Sequence, residues 1–534
     1  MIKVGGSKLF RLNPNFYTLK SYFKYKSKNY EKVNWLPRVL DPWRSVNQII
    51  DEIVREEVDV LCLSLFVWNF DKNIMIIQKI KKILPNIKII VGGPSQTANI
   101  EDNYFFKYPE VDFAVYGDGE EAFSEILDSI IENRKLSEST VNTVTKDYKY
   151  PHKIFRDPEY LHISPILTCK EDIKQDLKYF QDDNIKCVVY WERSRGCPYK
   201  CSFCDWSSGL HHKVTRFKTN WQLELDFLFS LNVAVSPGDA NWGIFEEDLE
   251  ITEYAIKKGD FQIVSLAKLQ KERAFEIMRI VQRENNKKPK NQIYISKFLS
   301  VDLQDIHEDV LAAIDRPDVP WEEHKKLVSD FNKEFPDVYI MSKTIVGMPN
   351  QTREKAIRQY FELESAGITH TMTHIWEMLP NSPGYKKEYQ EKYGMIIKNL
   401  VCVRQEFNNI DELKYAVKNG EPGYTNTDFV IKNNTLDWHD ILYVKLLGQM
   451  FTFFKKYKDD FKFQVIMDYL EKSIDIESKR IAEYSLTEGV FGVNYLNSEK
   501  WGDLEEYFVH DENVNKFLSY YNIANNYQEL LEII

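Results

Sequence analysis

From residue 43 onward the chain alternates between two hydrophobic periods. Residues 43–57 (WRSVNQIIDEIVREE), 72–84 (KNIMIIQKIKKIL) and 120–132 (EEAFSEILDSIIE) repeat apolar positions at helical spacing, and between them stand the short apolar runs VDVLCLSL, IKIIVGG and DFAVYG. Such runs, separated by amphipathic helices, predict strands of a parallel sheet covered on both faces. Residues 43–140 therefore read as a doubly wound, Rossmann-like (flavodoxin-like) α/β domain. Residues 1–42, aromatic and basic with little periodicity, read as a lead-in packed on it, and the polar stretch 141–185 as a linker.

The alternation resumes at residue 186. CVVYWER, NVAVSP, FQIVSLA, IYISKFLSV, VYIMSKTIVG and ITHTMTHIWEML are strand candidates, each but the last followed by a helical stretch such as REKAIRQYFELES. Six strand–helix repeats over 186–385 fit a partial (β/α)6 barrel better than an open sheet. Beyond it the strand signal fades, and WHDILYVKLLGQMFTFFKKY and FQVIMDYLEKSI repeat at helical spacing, so 386–534 is expected to be mainly α-helical.

Composition narrows the function classes. Lys plus Arg number 70 against 81 Asp plus Glu in 534 residues, a net charge of −11, which argues against a broad attraction to nucleic acid or an anionic membrane. The opening MIKVGGSKLFRL lacks a signal-peptide core, and no run approaches the roughly 20 apolar residues of a membrane span. The expectation is a soluble, cytoplasmic protein. The seven cysteines are an odd number and scattered apart from one cluster, which argues against a disulfide framework and leaves thiols for metal.

That cluster is RGCPYKCSFCDW, residues 195–206, just beyond the first barrel strand, where parallel barrels gather their chemistry. Three thiolates, Cys197, Cys201 and Cys204, can hold an iron–sulfur cube and leave one iron open. A structural zinc loop with His211 or His212 as fourth ligand is the alternative; zinc usually pairs two C-x2-C units, and only Cys201 and Cys204 have that spacing. With Phe203 just before the last cysteine, C-x3-C-x2-C resembles the cluster loop of the radical S-adenosylmethionine (radical SAM) superfamily. The resemblance implies a [4Fe-4S] cluster on the three cysteines and S-adenosylmethionine chelated to the open iron through its amino and carboxylate groups. It further implies electron transfer that yields a 5′-deoxyadenosyl radical, and Phe203 beside the adenine.

Further segments follow in the order of that family's barrel. SPGDANWGIF, 236–245, stands where a glycine-rich turn meets the amino group of S-adenosylmethionine; the common GGE is missing, and Gly238, Asp239 and Asn241 are the candidates. Ser300, Asp302 and Gln304 alternate as strand residues pointing one way would, and resemble the fourth-strand side chains that reach ribose and carboxylate. KTIVGMPNQT, 343–352, resembles the fifth-strand turn beside the adenine, with Gly347 and Pro349, and HIWEMLPNSPGY, 374–385, resembles the closing strand and exit loop. Trp68, Trp191, Trp206, Trp242 and Trp376 sit near expected strand ends or loops, to line a pocket or, more simply, to pack between domains.

In the first domain SLFVWN (Ser64, Leu65), VGGPSQ (Gly92, Gly93, Pro94) and YGDGEEAF (Gly117, Gly119, Glu120) each follow a strand, on the edge where open α/β sheets bind ligands. Ahead of a radical SAM barrel these loops resemble the cobalamin-binding domain of B12-dependent radical SAM enzymes, and the likeness covers roughly residues 43–385. One departure stands out: the D-x-H-x-x-G loop that ligates cobalt in many such domains is absent, and the first histidine is His152. The resemblance then implies a lower face without a histidine from this domain, or a domain that has lost cobalamin. It implies a methyltransferase acting on an unactivated carbon of a small-molecule or peptide substrate, served by an external flavodoxin- or ferredoxin-like electron donor, with neither membrane nor nucleic acid as partner. A radical rearrangement, cyclisation or oxidation is the neighbouring alternative. A zinc-stabilised binding protein with an inactive barrel is the alternative from another class.

Overall fold

The computed structural model describes residues 1–448 except 7–13, 37–44, 96–103, 179–186, 207–213, 264–265, 267–269, 289–297, 317–319, 404–423 and a few single positions, together with 489–491. The chain divides into two compact units, residues 1–198 with 205–296, and 199–204 with 297–534. His211 and His212 lie outside the described residues.

The first unit opens with a six-stranded sheet. Its strands are β1 (Ile2–Gly6), β2 (Val33–Trp35), β3 (Val60–Ser64), β4 (Lys88–Gly92), β5 (Phe113–Val115) and β6 (Thr143–Val144), in the order β2-β1-β3-β4-β5-β6. All neighbours are parallel except β5 and β6, so the first five strands follow the flavodoxin order, with its switch point between β1 and β3. The period-2 pattern of β3 is what buries both faces. Leu61 and Leu63 pack with Ile49, Ile53, Ile76 and Ile80 of two covering helices, and Val60 and Cys62 pack with Phe23, Phe123, Ile126 and Leu127 on the other side. Ser45 starts the helix Val46–Arg55 with a capping box shared with Gln48, a device worth about 1 kcal/mol.

Two expected boundaries are corrected here. The described residues of 1–42 belong to the sheet domain, because β1 and β2 are its strands and the helix Pro14–Lys26 packs on it. That helix carried no clean period because it is buried on several sides: Tyr17 Oη donates to Asp176 at 2.5 Å, Tyr160 Oη donates to the Thr18 carbonyl at 3.0 Å, and Tyr22 meets Phe155 and Tyr160 edge-on. By the same contacts the described part of 141–185 is structured: it supplies β6, the short helix Pro165–Thr168 and the helix Lys170–Lys178.

The six expected barrel strands are present, three in each unit. The first unit holds β7 (Val188–Trp191), an antiparallel pair β8 (Ser194–Arg195) and β9 (Thr215–Arg216), then β10 (Ala234–Pro237) and β11 (Asp260–Phe261); β11-β10-β7 form a parallel sheet. The second unit holds the parallel sheet β12 (Phe298–Gln304), β13 (Tyr339–Val346) and β14 (His370–Ile375).

The helical expectation for 386–534 is corrected at its start. Strand β15 (Ile396–Val403) pairs antiparallel with β16 (Tyr424–Lys432) and parallel with β17 (Gly489–Phe491). The run IIKNLVCV mixes β-branched with polar residues, and its partner lies some twenty residues away, so no local period announced it. Residues 438–441 and 443–445 are helical as expected. FQVIMDYLEKSI, 463–474, lies outside the described residues.

Gly93 shows how tightly the crevice edge is built. Its φ is +98°, and a Cβ there would stand 2.7 Å from the Leu65 carbonyl oxygen and 2.8 Å from the Leu65 nitrogen. Both the dihedral and the backbone exclude a side chain. Gly93→Ala is expected to cost about 2 kcal/mol or more and to lower the midpoint of the first thermal transition by about 4–8 °C, read by calorimetry. An unchanged midpoint would mean that the loop relaxes freely.

Candidate functional site

The crevice loops of the first sheet are held by one another. Leu65 N donates to the Gly92 carbonyl at 2.7 Å and Ser95 N to the Leu65 carbonyl at 3.0 Å, while Asn69 and Asn73 both donate to the Ser64 carbonyl. Gly117 has φ +70°, and Gly119 precedes the helix Glu120–Glu132. Beside Ser64 and Leu65, Phe66 and Trp68 stack at 4.5 Å between ring centroids, with Trp68 half exposed. Sequence reasoning noted Trp68 only as a possible wall; the i, i+2 aromatic pair after a strand was the available signal.

Glu120, expected at the cofactor, has another role. Its carboxylate accepts from Arg195 Nη1 at 2.7 Å, and the same nitrogen donates to Asp118 at 3.0 Å. Arg195 also donates from Nε and Nη2 to Glu192, at 2.8 and 2.9 Å. Asp118 in turn accepts from Phe155 N at 2.8 Å. Burial pushes Glu120 above the usual carboxylate range; Arg195 opposes this, and Asp118 and Glu192 add to it. One guanidinium thus joins the third loop of the first sheet to the residue two before Cys197.

The turn after β10 works on the same loop from the other side. Asp239 Oδ1 accepts from Arg193 N and Ser194 N at 2.8 and 3.1 Å, and Oδ2 accepts from Ser194 Oγ at 2.5 Å. Asp239, nominated for S-adenosylmethionine, therefore positions β8. Gly238 N extends the ladder by donating to the Trp191 carbonyl at 2.9 Å. Asn241 Nδ2 donates to Cys197 Sγ at 3.1 Å, with both residues buried.

In the second unit, the Ser202 backbone is gripped from two sides. Its N–H donates to the Ile314 carbonyl and its carbonyl accepts from Gly384 N, both at 2.8 Å. A Cβ on Gly384 would stand 2.7 Å from that carbonyl oxygen, so the exit loop NSPGY needs its glycine. Phe203 packs on the cluster of Met348, Trp376 and Val430, which brings it to the G-M-P turn. In that turn Gly347 has φ +98°, Pro349 is buried, and Asn433 Nδ2 donates to the Gly347 and Met348 carbonyls at 2.9 Å each. Trp191, Trp242 and Trp376 are fully buried packing residues, whereas Trp206 is half exposed.

Ser300 and Asp302 share one face of β12 as expected, and Ser300 Oγ donates to Asp302 at 3.0 Å. Gln304 does not join them. A register shift between Val301 and Gln304 pairs Gln304 with Thr344, and its φ of +63° marks the bulge. The extra residue turns its side chain to the opposite, buried face, so the expected alternation ends at Asp302. Lys343 and His374 occupy the open face instead, with Lys343 Nζ 3.5 Å from Asp302. The His374 ring reaches solvent, yet crowding by protein, with Lys445 and Lys343, pushes it down to about 4. Both lay inside quoted motifs and were readable from strand alternation beside Ser300 and Asp302.

A B12 binding domain model matches residues 31–127. The chain is 30% identical over 375 residues to the cobalamin-dependent radical SAM methyltransferase TokK of Streptomyces tokunonensis, covering 66% of this chain and 51% of TokK. It is 28% identical to the 2-(S-pantetheinyl)-carbapenam-3-carboxylate methyltransferase of Streptantibioticus cattleyicolor, covering 63% of this chain and 49% of the relative. The chain thus spans about half the length of these curated relatives. The solved structure of the radical S-adenosylmethionine methyltransferase TsrM from Kitasatospora setae, with cobalamin and a [4Fe-4S] cluster bound, shares the fold at TM-score 0.53 and 11% identity, over 90% of this chain and 99% of that one. The chain carries a match to the B12 binding domain and is similar to cobalamin-dependent radical SAM methyltransferases.

The residues present fit the groups that these relatives' names and bound structures carry. Cys197, Cys201 and Cys204 are in no disulfide, the first two are buried, and Cys197 already receives an N–H···S hydrogen bond of the kind that supports cluster sulfurs. Among the described residues no three His, Cys, Asp or Glu side chains are grouped around a point for a single metal ion. Among the described residues, too, no helix is long and apolar enough to cross a membrane.

Two outcomes test this description. Arg195→Met strands buried carboxylates and is expected to cost about 3–5 kcal/mol, read as a lowered denaturation midpoint; Glu120→Gln should cost much less. Burial pushes Asp239 up to about 6, against the hydrogen bonds from Ser194 and Arg193. A carboxyl raised in the fold contributes stability that is complete below its unfolded pKa of about 3.9 and is lost as pH rises through the folded value. In metal-free protein the stability of wild type relative to Asp239→Asn should fall between about pH 4 and 7, on the order of 3 kcal/mol, in urea titrations. A pH-independent difference would count against a raised Asp239.

Proposed function

We propose that this chain is a cobalamin-dependent radical SAM methyltransferase acting on an unactivated carbon of a small-molecule or peptide substrate, fed by an external one-electron donor of flavodoxin or ferredoxin type. One observation carries the reading: a flavodoxin-ordered sheet matching the B12 binding domain is tied through Arg195 to the start of a C-x3-C-x2-C segment whose cysteines form no disulfide. The names of TokK and of the carbapenam-carboxylate methyltransferase support the same class.

Bound to the protein, the cluster, S-adenosylmethionine and cobalamin would supply radical hydrogen abstraction and methyl transfer. The chain's part is to hold and orient them. Cys197, Cys201 and Cys204 would ligate iron. Phe203 with the Gly347–Pro349 turn would border the adenine, and Ser300 and Asp302 would reach the ribose and carboxylate. Ser64, Leu65, Gly92, Gly93, Pro94, Gly117 and Gly119 would border the corrin. With no histidine before His152, the lower face of cobalamin would take no histidine from the matched segment.

Anaerobic reconstitution with iron, sulfide and hydroxocobalamin tests the proposal. Wild type should retain about four irons and one cobalt per chain, and the Cys197→Ala/Cys201→Ala/Cys204→Ala variant should lose the iron and keep the cobalt. With reductant and S-adenosylmethionine, wild type should form 5′-deoxyadenosine and the triple variant none. Iron without cobalt would leave a cobalamin-free radical enzyme. Zinc without iron would overturn the radical reading as well.

A further inference from the structure

We propose that the substrate carries an anionic oxyacid group, a carboxylate or a phosphate, and that Lys445 binds it together with Lys343 and His374 on the open face of β12–β14. The proposal rests on the enzyme reading above and deepens it by naming a substrate class.

The topology puts these residues on one face. The hydroxyls of Thr344 and Thr373 hydrogen-bond to each other, and Tyr360 of the helix Arg353–Ser365 hydrogen-bonds to Thr373, at 2.9 Å each, so that helix covers their side of the sheet. Lys343 and His374, adjacent to them along β13 and β14, therefore point the other way. There they are diagonal neighbours, because Lys343 pairs with Met372 and Ile345 with His374. Lys445 reaches the same place from the chain beyond β16: its Nζ donates to the Thr373 carbonyl, and its charge acts on the His374 ring together with that of Lys343.

Lys343 has a counter-charge in Asp302, 3.5 Å away. Lys445 has none among the described residues. It is only 5% exposed, it donates to a main-chain carbonyl, and burial alone pushes it down to about 7. Burying an ammonium without an anion is unfavourable, and an apolar side chain of similar length would avoid that cost. Around His374 stand two ammonium groups and one carboxylate among the described residues, in a chain whose net charge is −11, so the charge this spot lacks is negative. A carboxylate or phosphate oxygen on Lys445 supplies it, and His374, neutral at pH 7, can donate one ring N–H to the same group. A substrate anchored there lies beside Ser300 and Asp302, the side chains proposed for the ribose and carboxylate of S-adenosylmethionine.

The test uses the full-length chain and the variants Lys445→Met, Lys343→Gln and His374→Phe. Propionate and inorganic phosphate are titrated into metal-free protein at constant ionic strength, and binding is read by proton and phosphorus magnetic resonance. Wild type should bind at least one of them, and Lys445→Met should bind it about tenfold more weakly, the effect of one lost hydrogen bond to a charged group. Lys343→Gln and His374→Phe should weaken binding in the same direction. Lys445→Met should keep or raise the urea midpoint, since it removes an uncompensated buried charge. No binding to wild type, or equal binding by all four proteins, would overturn the site, and a lowered midpoint with unchanged binding would make Lys445 a brace for Thr373 instead. In reconstituted protein, saturating S-adenosylmethionine should leave the probe bound; its displacement would assign the anion to the carboxylate of S-adenosylmethionine and overturn the substrate proposal. A wild-type chain that binds the probe but assembles no cubane would refute the iron–sulfur reading and leave the anion site standing.

Discussion

The guanidinium of Arg195 is the constraint on which the arrangement around the cysteine loop depends. It stands among three carboxylates, those of Asp118, Glu120 and Glu192, and two of these are almost wholly buried. Charges removed from water are tolerated only when paired in good geometry, so the arginine cannot move without leaving acids stranded. Because Asp118 and Glu120 belong to the third loop of the first sheet, the start of the cysteine loop inherits its position from that sheet. Asp239 completes the fixing by accepting from the backbone of residues 193 and 194 and from the Ser194 hydroxyl.

The second unit solves a related problem with backbone groups. Ser202 is held between Ile314 and Gly384, and the Gly347 turn is held by Asn433 from beyond β16. Neither uses charge. A loop that is proposed to carry a redox group would gain from neutral anchors, since nearby charges would shift its potential, while neutral N–H donors tune it more gently. The open face of β12–β14 is the exception, where Lys343, Asp302 and His374 gather.

Strands β3 to β5 of the first sheet were legible, because burial on two faces by helices leaves continuous apolar runs with sharp ends. The order of the barrel-type strands was legible for the same reason. The lead-in and the linker were not. Their aromatic side chains are buried by one another across more than a hundred residues of chain, as Tyr22 against Phe155 and Tyr160 shows, and such burial leaves no period of 2 or 3.6. Strands β15 and β16 were hidden likewise, since antiparallel pairing over a long connection has no local signature.

For the site, the sequence by itself determined the three thiolates, their spacing and the order of the turns around them, because ligand chemistry demands particular residue types at particular separations. Tertiary structure alone decided what each neighbour does. Glu120 became the partner of a buried arginine, Asp239 a brace for the backbone, and Gln304 an inward residue beyond a bulge. Those roles depend on which strand lies alongside and on a single-residue slip in register, and neither is written in the local pattern of the chain.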